Sequence, residues 1–201
     1  VLRAGKELRV ELSVLQDLQG PRIRVGKMPE GGRVLHDGDT ITFSTSEESD
    51  DSIIHIDEPY LHADIAIGDP ILLANGEMEL VTTGIEGTHI TAKVIRGGTL
   101  FSRKGVNVPH TKLTTSGLTE KDRADVAIAL EAGVEYIAVS FVQTADDMRA
   151  LKELVGNKAK LIAKIETRLA IENIDSIMRA SDAVMIARGD LGIEMPLEQV
   201  P

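Results

Sequence analysis

The chain is 201 residues long, 42% hydrophobic but only 2% aromatic, and carries a formal net charge of −10 at pH 7. That charge opposes a nucleic-acid backbone, and no apolar run nears the roughly 20 residues that cross a bilayer, so neither nucleic acid nor membrane is expected as a partner. The absence of cysteine excludes disulfides and thiolate metal sites and is compatible with a cytoplasmic setting, and a core this poor in rings must rest on Ile, Leu, Val, Ala and Met.

Residues 1–8 read as the tail of a helix, and residues 8–16 as one buried strand closed by Asp17-Leu18-Gln19-Gly20-Pro21. From about residue 25 to 100 the texture changes to short alternating runs at 40–43, 52–56, 71–74, 78–83 and 89–95. Turn formers at Asp37-Gly38, Gly68-Asp69-Pro70, Asn75-Gly76, Glu86-Gly87 and Gly97-Gly98 separate them. Short strands at intervals of about 8–12 residues predict a small all-β sandwich or barrel. The acidic stretch Glu47-Glu48-Ser49-Asp50-Asp51 is expected to be a solvated loop tip, because like charges seek water.

From Leu118 onward strands and helices alternate. Thr119 and Asp122 form a capping pair for a helix with Val126, Ala127 and Leu130 on its apolar face, ending near Gly133. A buried strand is predicted over 136–142. Thr144 and Asp147 repeat the capping pattern for a helix with Met148, Leu151 and Val155, stopped by Gly156. A strand over 160–165, a helix carrying Ile171, Ile174, Ile177 and Met178, and a strand over 183–187 complete the pattern. Continuous apolar strands in successive βα units mean a parallel sheet covered by helices. Strand centres recur roughly every 24 residues, which suits a (β/α) barrel, although a doubly wound sheet fits the same pattern. No Gly-rich phosphate loop follows a strand, which counts against a Rossmann or Walker nucleotide site. The expected organisation is residues 1–24 and 102–201 as parts of one α/β domain, with 25–101 inserted as a β-domain. An insertion at the C-terminal end of a barrel strand lands on the catalytic face and is a candidate lid.

Period two puts Lys164 and Glu166 on one face at the end of their strand. Asp190, in Arg188-Gly189-Asp190-Leu191-Gly192, follows the next strand, and Asp17 ends the first one. Each alone has a plain reading as an ion pair, a loop entry or a turn former. Gathered on one rim, carboxylates and a lysine need a cation or an anionic substrate to balance them. Glu166 with Asp190 suits Mg2+, which is commonly held by one or two carboxylates and completed by phosphate oxygens and water. The five histidines show no metal-ligand spacing, and no Ser nucleophile stands beside a plausible base.

Several segments resemble pyruvate kinase motifs, in the family's order. They are Asp17-Leu18-Gln19-Gly20-Pro21-Arg22-Ile23-Arg24, Arg103-Lys104-Gly105-Val106-Asn107-Val108-Pro109, Leu118-Thr119-Glu120-Lys121-Asp122, Ile137-Ala138-Val139-Ser140-Phe141-Val142, Ala163-Lys164-Ile165-Glu166, and Val184-Met185-Ile186-Ala187-Arg188-Gly189-Asp190-Leu191-Gly192. The resemblance covers nearly the whole chain and is weakest in the β-domain. It implies part of a (β/α)8 TIM-type barrel with an inserted small all-β barrel, and transfer of phosphoryl from phosphoenolpyruvate to ADP to give pyruvate and ATP in glycolysis. It also implies a cytoplasmic homotetramer as the full-length protein.

Position by position, the resemblance implies Lys164 as the catalytic lysine and Glu166 and Asp190 as ligands of Mg2+ or Mn2+. Backbone N–H groups around Ala187, Arg188 and Gly189 would receive the substrate carboxylate, with Ser140 and Phe141 beside the metal and phosphate. Arg24 and Lys104, on the outgoing and returning connections of the insertion, match the family's phosphate-binding cations. Asp17 matches the ligand of a monovalent cation, usually K+. A Glu at the position of Arg22 tends to accompany K+ dependence in the family and a Lys independence, so Arg22 implies that K+ is dispensable. Departures are Ala74-Asn75-Gly76 in place of Asp-Asp-Gly, His110 in place of Gly, and Leu169 in place of an acidic or polar residue. The family's N-terminal Arg-x-Asn-x-Ser strand, its later threonine-bearing strand and its C-terminal domain have no counterpart here, so an inactive fragment of a longer protein is expected. A lyase or aldolase on a related barrel, or a non-catalytic interaction module, are the competing readings. The insertion with its flanking cations opposes the first, and intact Lys164, Glu166 and Asp190 oppose the second.

Overall fold

The structure, a computed structural model, describes residues 5, 7–47, 50, 52–115 and 117–200, the side chain of Leu197 excepted. The chain divides into two compact units, one of Val1–Pro21 with Ser116–Ala187 and one of Arg22–Thr115 with Arg188–Pro201. No helix among the described residues is long and apolar enough to cross a membrane.

Strand β1 (Leu15–Leu18) opens the first unit. The chain then builds the second unit from β2 (Arg33–Leu35), β3 (Thr40–Ser44), β4 (Ile53–His55), the short helix α1 (Leu61–Asp64), β5 (Pro70–Leu73), β6 (Met78–Glu86), β7 (His89–Arg96), β8 (Gly98–Leu100) and β9 (Val106–Asn107). A six-stranded sheet in the order β4-β3-β7-β6-β5-β9 and a β2-β8 ribbon enclose one core. Alternation along β6 and β7 sends Met78, Leu80, Ile90, Ala92 and Val94 inward, where they meet Phe43, the one aromatic among the buried core residues described. The β6–β7 hairpin turns on Gly87, at φ 58, a conformation that a side chain would strain. Glu47 and Asp50 are exposed, as expected of a solvated acidic tip, and residues 48, 49 and 51 lie outside the described residues.

Back in the first unit, helix α2 (Glu120–Glu131) leads to β10 (Tyr136–Val139), α3 (Ala145–Val155), β11 (Lys160–Ile165), α4 (Arg168–Glu172), α5 (Ile174–Ala180) and β12 (Ala183–Ile186). Helix α6 (Arg188–Glu194) and a 3-10 turn at Leu197–Gln199 end the described chain. Both capping boxes form: Thr119 with Asp122 starts α2, and Thr144 with Asp147 starts α3. Gly156, at φ 62, ends α3. The sheet is wholly parallel in the order β1-β10-β11-β12. Each strand adds to the same edge, without the reversal of order that defines a doubly wound sheet, so this is a run of consecutive (β/α) barrel strands.

The structure differs from the sequence-based expectation at the first strand and at the third helix of this unit. Strand β1 is shorter and later than residues 8–16. The Glu135 side chain takes the Val14 N–H at 2.7 Å, which ends the ladder with β10 there. Val10 and Leu12 lie outside any strand and are 54% and 42% exposed. Residues 5, 7 and 8 are helical, in line with a helix tail, while residues 1–4 and 6 lie outside the described residues. The helix expected around 171–178 is two helices, because Asn173 leaves helical geometry at φ −105, ψ 13. Its Nδ2 donates to the Gln143 and Leu169 carbonyls at 3.1 and 3.0 Å, which replaces continuation of the helix. Met178 accordingly faces solvent, and on α2 it is Ala129 rather than Ala127 that joins Val126 in the core.

Candidate active site

The register of the parallel sheet brings the polar strand ends together. Asp17 pairs with Ala138, and Ala138 with Ile162. Period two then carries Ser140, Lys164 and Glu166 onto the same face as Asp17, beyond the paired residues. Leu18, Val139, Ala163 and Ile165 alternate to the opposite face and join the buried cluster lined by Val126, Met148 and Ile177. One apolar face thus fixes the register that gathers the charges on the other.

Lys164 Nζ lies 3.0 Å from Glu166 Oε1, 3.2 Å from both Asp17 oxygens and 2.8 Å from Ser140 Oγ. Ser140 Oγ also donates to Asp17 Oδ1 at 3.3 Å. The Lys164 and Glu166 side chains are 13% and 1% exposed, whereas Asp17 is 55% exposed and well solvated. Burial pushes the Lys164 ammonium down, but hydrogen bonds and charge from Glu166, then Asp17, outweigh it and hold the group above the ordinary lysine value. Lys164 is therefore a cation throughout the neutral range. It is the cation paired with a carboxylate that has lost its water.

Phe141 follows Ser140 in the left-handed region, at φ 57, and its N–H donates to Glu166 Oε2 at 2.8 Å. Both Glu166 oxygens are thus engaged. Ala187 continues the β11–β12 ladder, its N–H donating to the Ile165 carbonyl at 3.2 Å, which sets it level with Glu166.

The remaining expected residues belong to the second unit. Arg188, Gly189 and Asp190 form the first turn of α6, and the Asp190 carboxylate has no ion pair among the described residues. Arg24 bridges Gly105 antiparallel, and the Val25 N–H donates to the Lys104 carbonyl at 2.9 Å. The outgoing and returning connections are therefore zipped together, with Arg24 and Lys104 side by side. Neither has an ion-pair partner among the described residues, and Arg22 is exposed nearby in sequence. Gly20 and Asp122 also shape the site, which the sequence signalled only as a strand terminator and a helix cap. The Gly20 N–H donates to Asp122 Oδ1 at 3.2 Å.

Among the described residues no group of three or more His, Asp or Glu side chains is arranged to hold a metal ion. The chemistry of the donor in the first unit nevertheless suits Mg2+ or Mn2+, since Glu166 offers hard carboxylate oxygens. Such an ion would need substrate oxygens and water to complete its shell.

The family model described as pyruvate kinase, barrel domain, matches residues 1–201. A pyruvate kinase of Agrobacterium vitis is 46% identical over 198 residues, covering 98% of this chain and 42% of the relative. One from Clostridium perfringens is 37% identical over 207 residues, covering 100% and 44%. The crystal structure of a pyruvate kinase from Cryptosporidium parvum superposes with a TM-score of 0.91 at 32% identity, covering 99% of this chain and 43% of that one. The chain spans about four-tenths of the length of the curated relatives it matches.

Proposed function

The chain belongs to the pyruvate kinase family, and from that premise we propose that the full-length protein transfers the phosphoryl group of phosphoenolpyruvate to ADP. The bond from phosphorus to the enol oxygen breaks, and a bond from phosphorus to a β-phosphate oxygen of ADP forms. The enolate left behind takes a proton at carbon to give pyruvate. The observation that carries this reading is the Lys164 ammonium, held at the strand ends by Glu166, Asp17 and Ser140.

Lys164 sets a fixed positive charge where charge develops on the moving phosphoryl and the enolate oxygen. The N–H groups around Ala187, Arg188 and Gly189 receive the substrate carboxylate, and Ser140 and Phe141 border the phosphate. Residues 25–101 act as a lid, with Arg24 and Lys104 carried over the phosphates as it closes and water is expelled. Glu166 and Asp190 would hold Mg2+ or Mn2+, which supplies Lewis-acid charge at the phosphate oxygens. Asp17 takes the place of a monovalent-cation ligand, and the permanent charge of Arg22 makes K+ dispensable. The full-length protein works in the cytoplasm as a homotetramer, a size that sedimentation would report.

A coupled assay on the full-length protein tests these assignments. Pyruvate should form only with ADP and phosphoenolpyruvate both present, one ATP accompanying each pyruvate. Replacing K+ by tetramethylammonium at equal ionic strength should leave the rate within about twofold. Pyruvate released without ATP would point to a lyase instead, and a large activation by K+ would remove the role given to Arg22.

A further inference from the structure

Phe141 is the unexplained residue of the cluster, since a side chain with a Cβ disfavours φ near 57. The two ends of a single peptide unit account for it. The N–H of the Ser140–Phe141 peptide donates to Glu166 Oε2 at 2.8 Å. Its carbonyl lies against Gly20, where a Cβ would fall 2.5 Å from Ser140 O and 3.1 Å from Ser140 C. No real Cβ approaches a backbone oxygen so closely, so the peptide can hold this orientation only if residue 20 is glycine. Gly20 is itself fixed at φ 66, with its N–H on Asp122 Oδ1 at 3.2 Å. Asp122 is fully buried and also accepts from the Thr119 N–H and hydroxyl as part of the α2 cap.

We propose that Gly20 is a positioning residue for the Glu166 carboxylate. Acting through the Ser140–Phe141 peptide, it fixes one oxygen so that the other faces the cation. The inference rests on the reading of Glu166 as a divalent-ion ligand. Groups that orient a metal ligand in this way typically contribute about 10- to 100-fold to metal affinity.

The test is Mn2+ affinity, measured by electron paramagnetic resonance on the folded full-length protein with phosphoenolpyruvate present. Gly20→Ala should weaken Mn2+ binding by about 10-fold or more. Gly133→Ala is the control for backbone strain, because Gly133 stands at φ 71 with nothing near its missing Cβ. It should lower the melting temperature and leave Mn2+ affinity unchanged. In a Glu166→Gln background Gly20→Ala should add no further loss. Wild-type affinity in Gly20→Ala, an equal loss in Gly133→Ala, or full additivity with Glu166→Gln would each overturn the proposal. If Glu166→Gln by itself leaves Mn2+ affinity intact, it is the ion-ligand reading that fails. Should Gly20→Ala not fold, amide exchange decides: the Phe141 N–H should exchange about 10-fold faster in Glu166→Ala than in wild type, and equal rates would overturn the proposal.

Discussion

Lys164→Met in the full-length protein is expected to cut kcat by about 100- to 1,000-fold, since it removes a preorganised charge from the proposed phosphoryl-transfer site. It should also destabilise the fold in the absence of metal. Glu166 is 1% exposed, and its Oε1 would lose the one cation paired with it among the described residues. Breaking a buried pair in this way costs about 3 kcal/mol, because one charge remains desolvated and unpaired. Asp17, at 55% exposure, is screened by water and adds little. Divalent ions should then stabilise the variant more than the wild type, because binding only the folded state raises its stability by mass action. Thermal unfolding with and without Mn2+ reads this directly. A variant that melts like the wild type would show that Lys164 does not compensate Glu166.

Glu166→Gln should have the second largest effect. The Gln amide oxygen can still accept from the Phe141 N–H, so the local geometry survives while the charge is lost. Mn2+ affinity should fall by at least about 10-fold. Lys164 should change as well. In the wild type its ammonium is raised, so its contribution to stability is complete below the unfolded lysine value of about 10.4 and is lost only as pH climbs through the higher folded value. With Glu166 neutral, burial pushes Lys164 down, opposed by the solvated Asp17. The alkaline fall in stability should therefore begin at lower pH in Glu166→Gln. Unfolding free energies from about pH 8 to 11 measure the shift, and superimposable profiles would contradict it.

Much of this site was legible in the amino-acid sequence because it follows from period and position. Lys164 and Glu166 share a face by strand alternation, and Asp17 joins them once the sheet is parallel and in register. The capping pairs at Thr119 and Thr144 likewise marked their helices within a residue. What stayed hidden depends on contacts distant in the chain. Glu135 ends β1 early by taking the Val14 N–H, and Asn173 splits a helix by reaching the Gln143 carbonyl. The left-handed Phe141 has no local signature either, because its conformation is held by Gly20, just past the end of β1, and by Glu166. A propensity argument would place neither. The motifs that resemble the family carried Arg24 and Lys104, and the structure adds that their two connections pair backbone to backbone.

The proposed function requires Lys164, Glu166 and Asp190 to serve one divalent ion. Anomalous scattering from crystals of the full-length protein with Mn2+ and phosphoenolpyruvate tests it most directly. A single ion bound by one oxygen of Glu166 and one of Asp190, each at about 2.1 Å, with the Lys164 ammonium turned to the same phosphate, is the predicted result. An ion bound away from either carboxylate would contradict it.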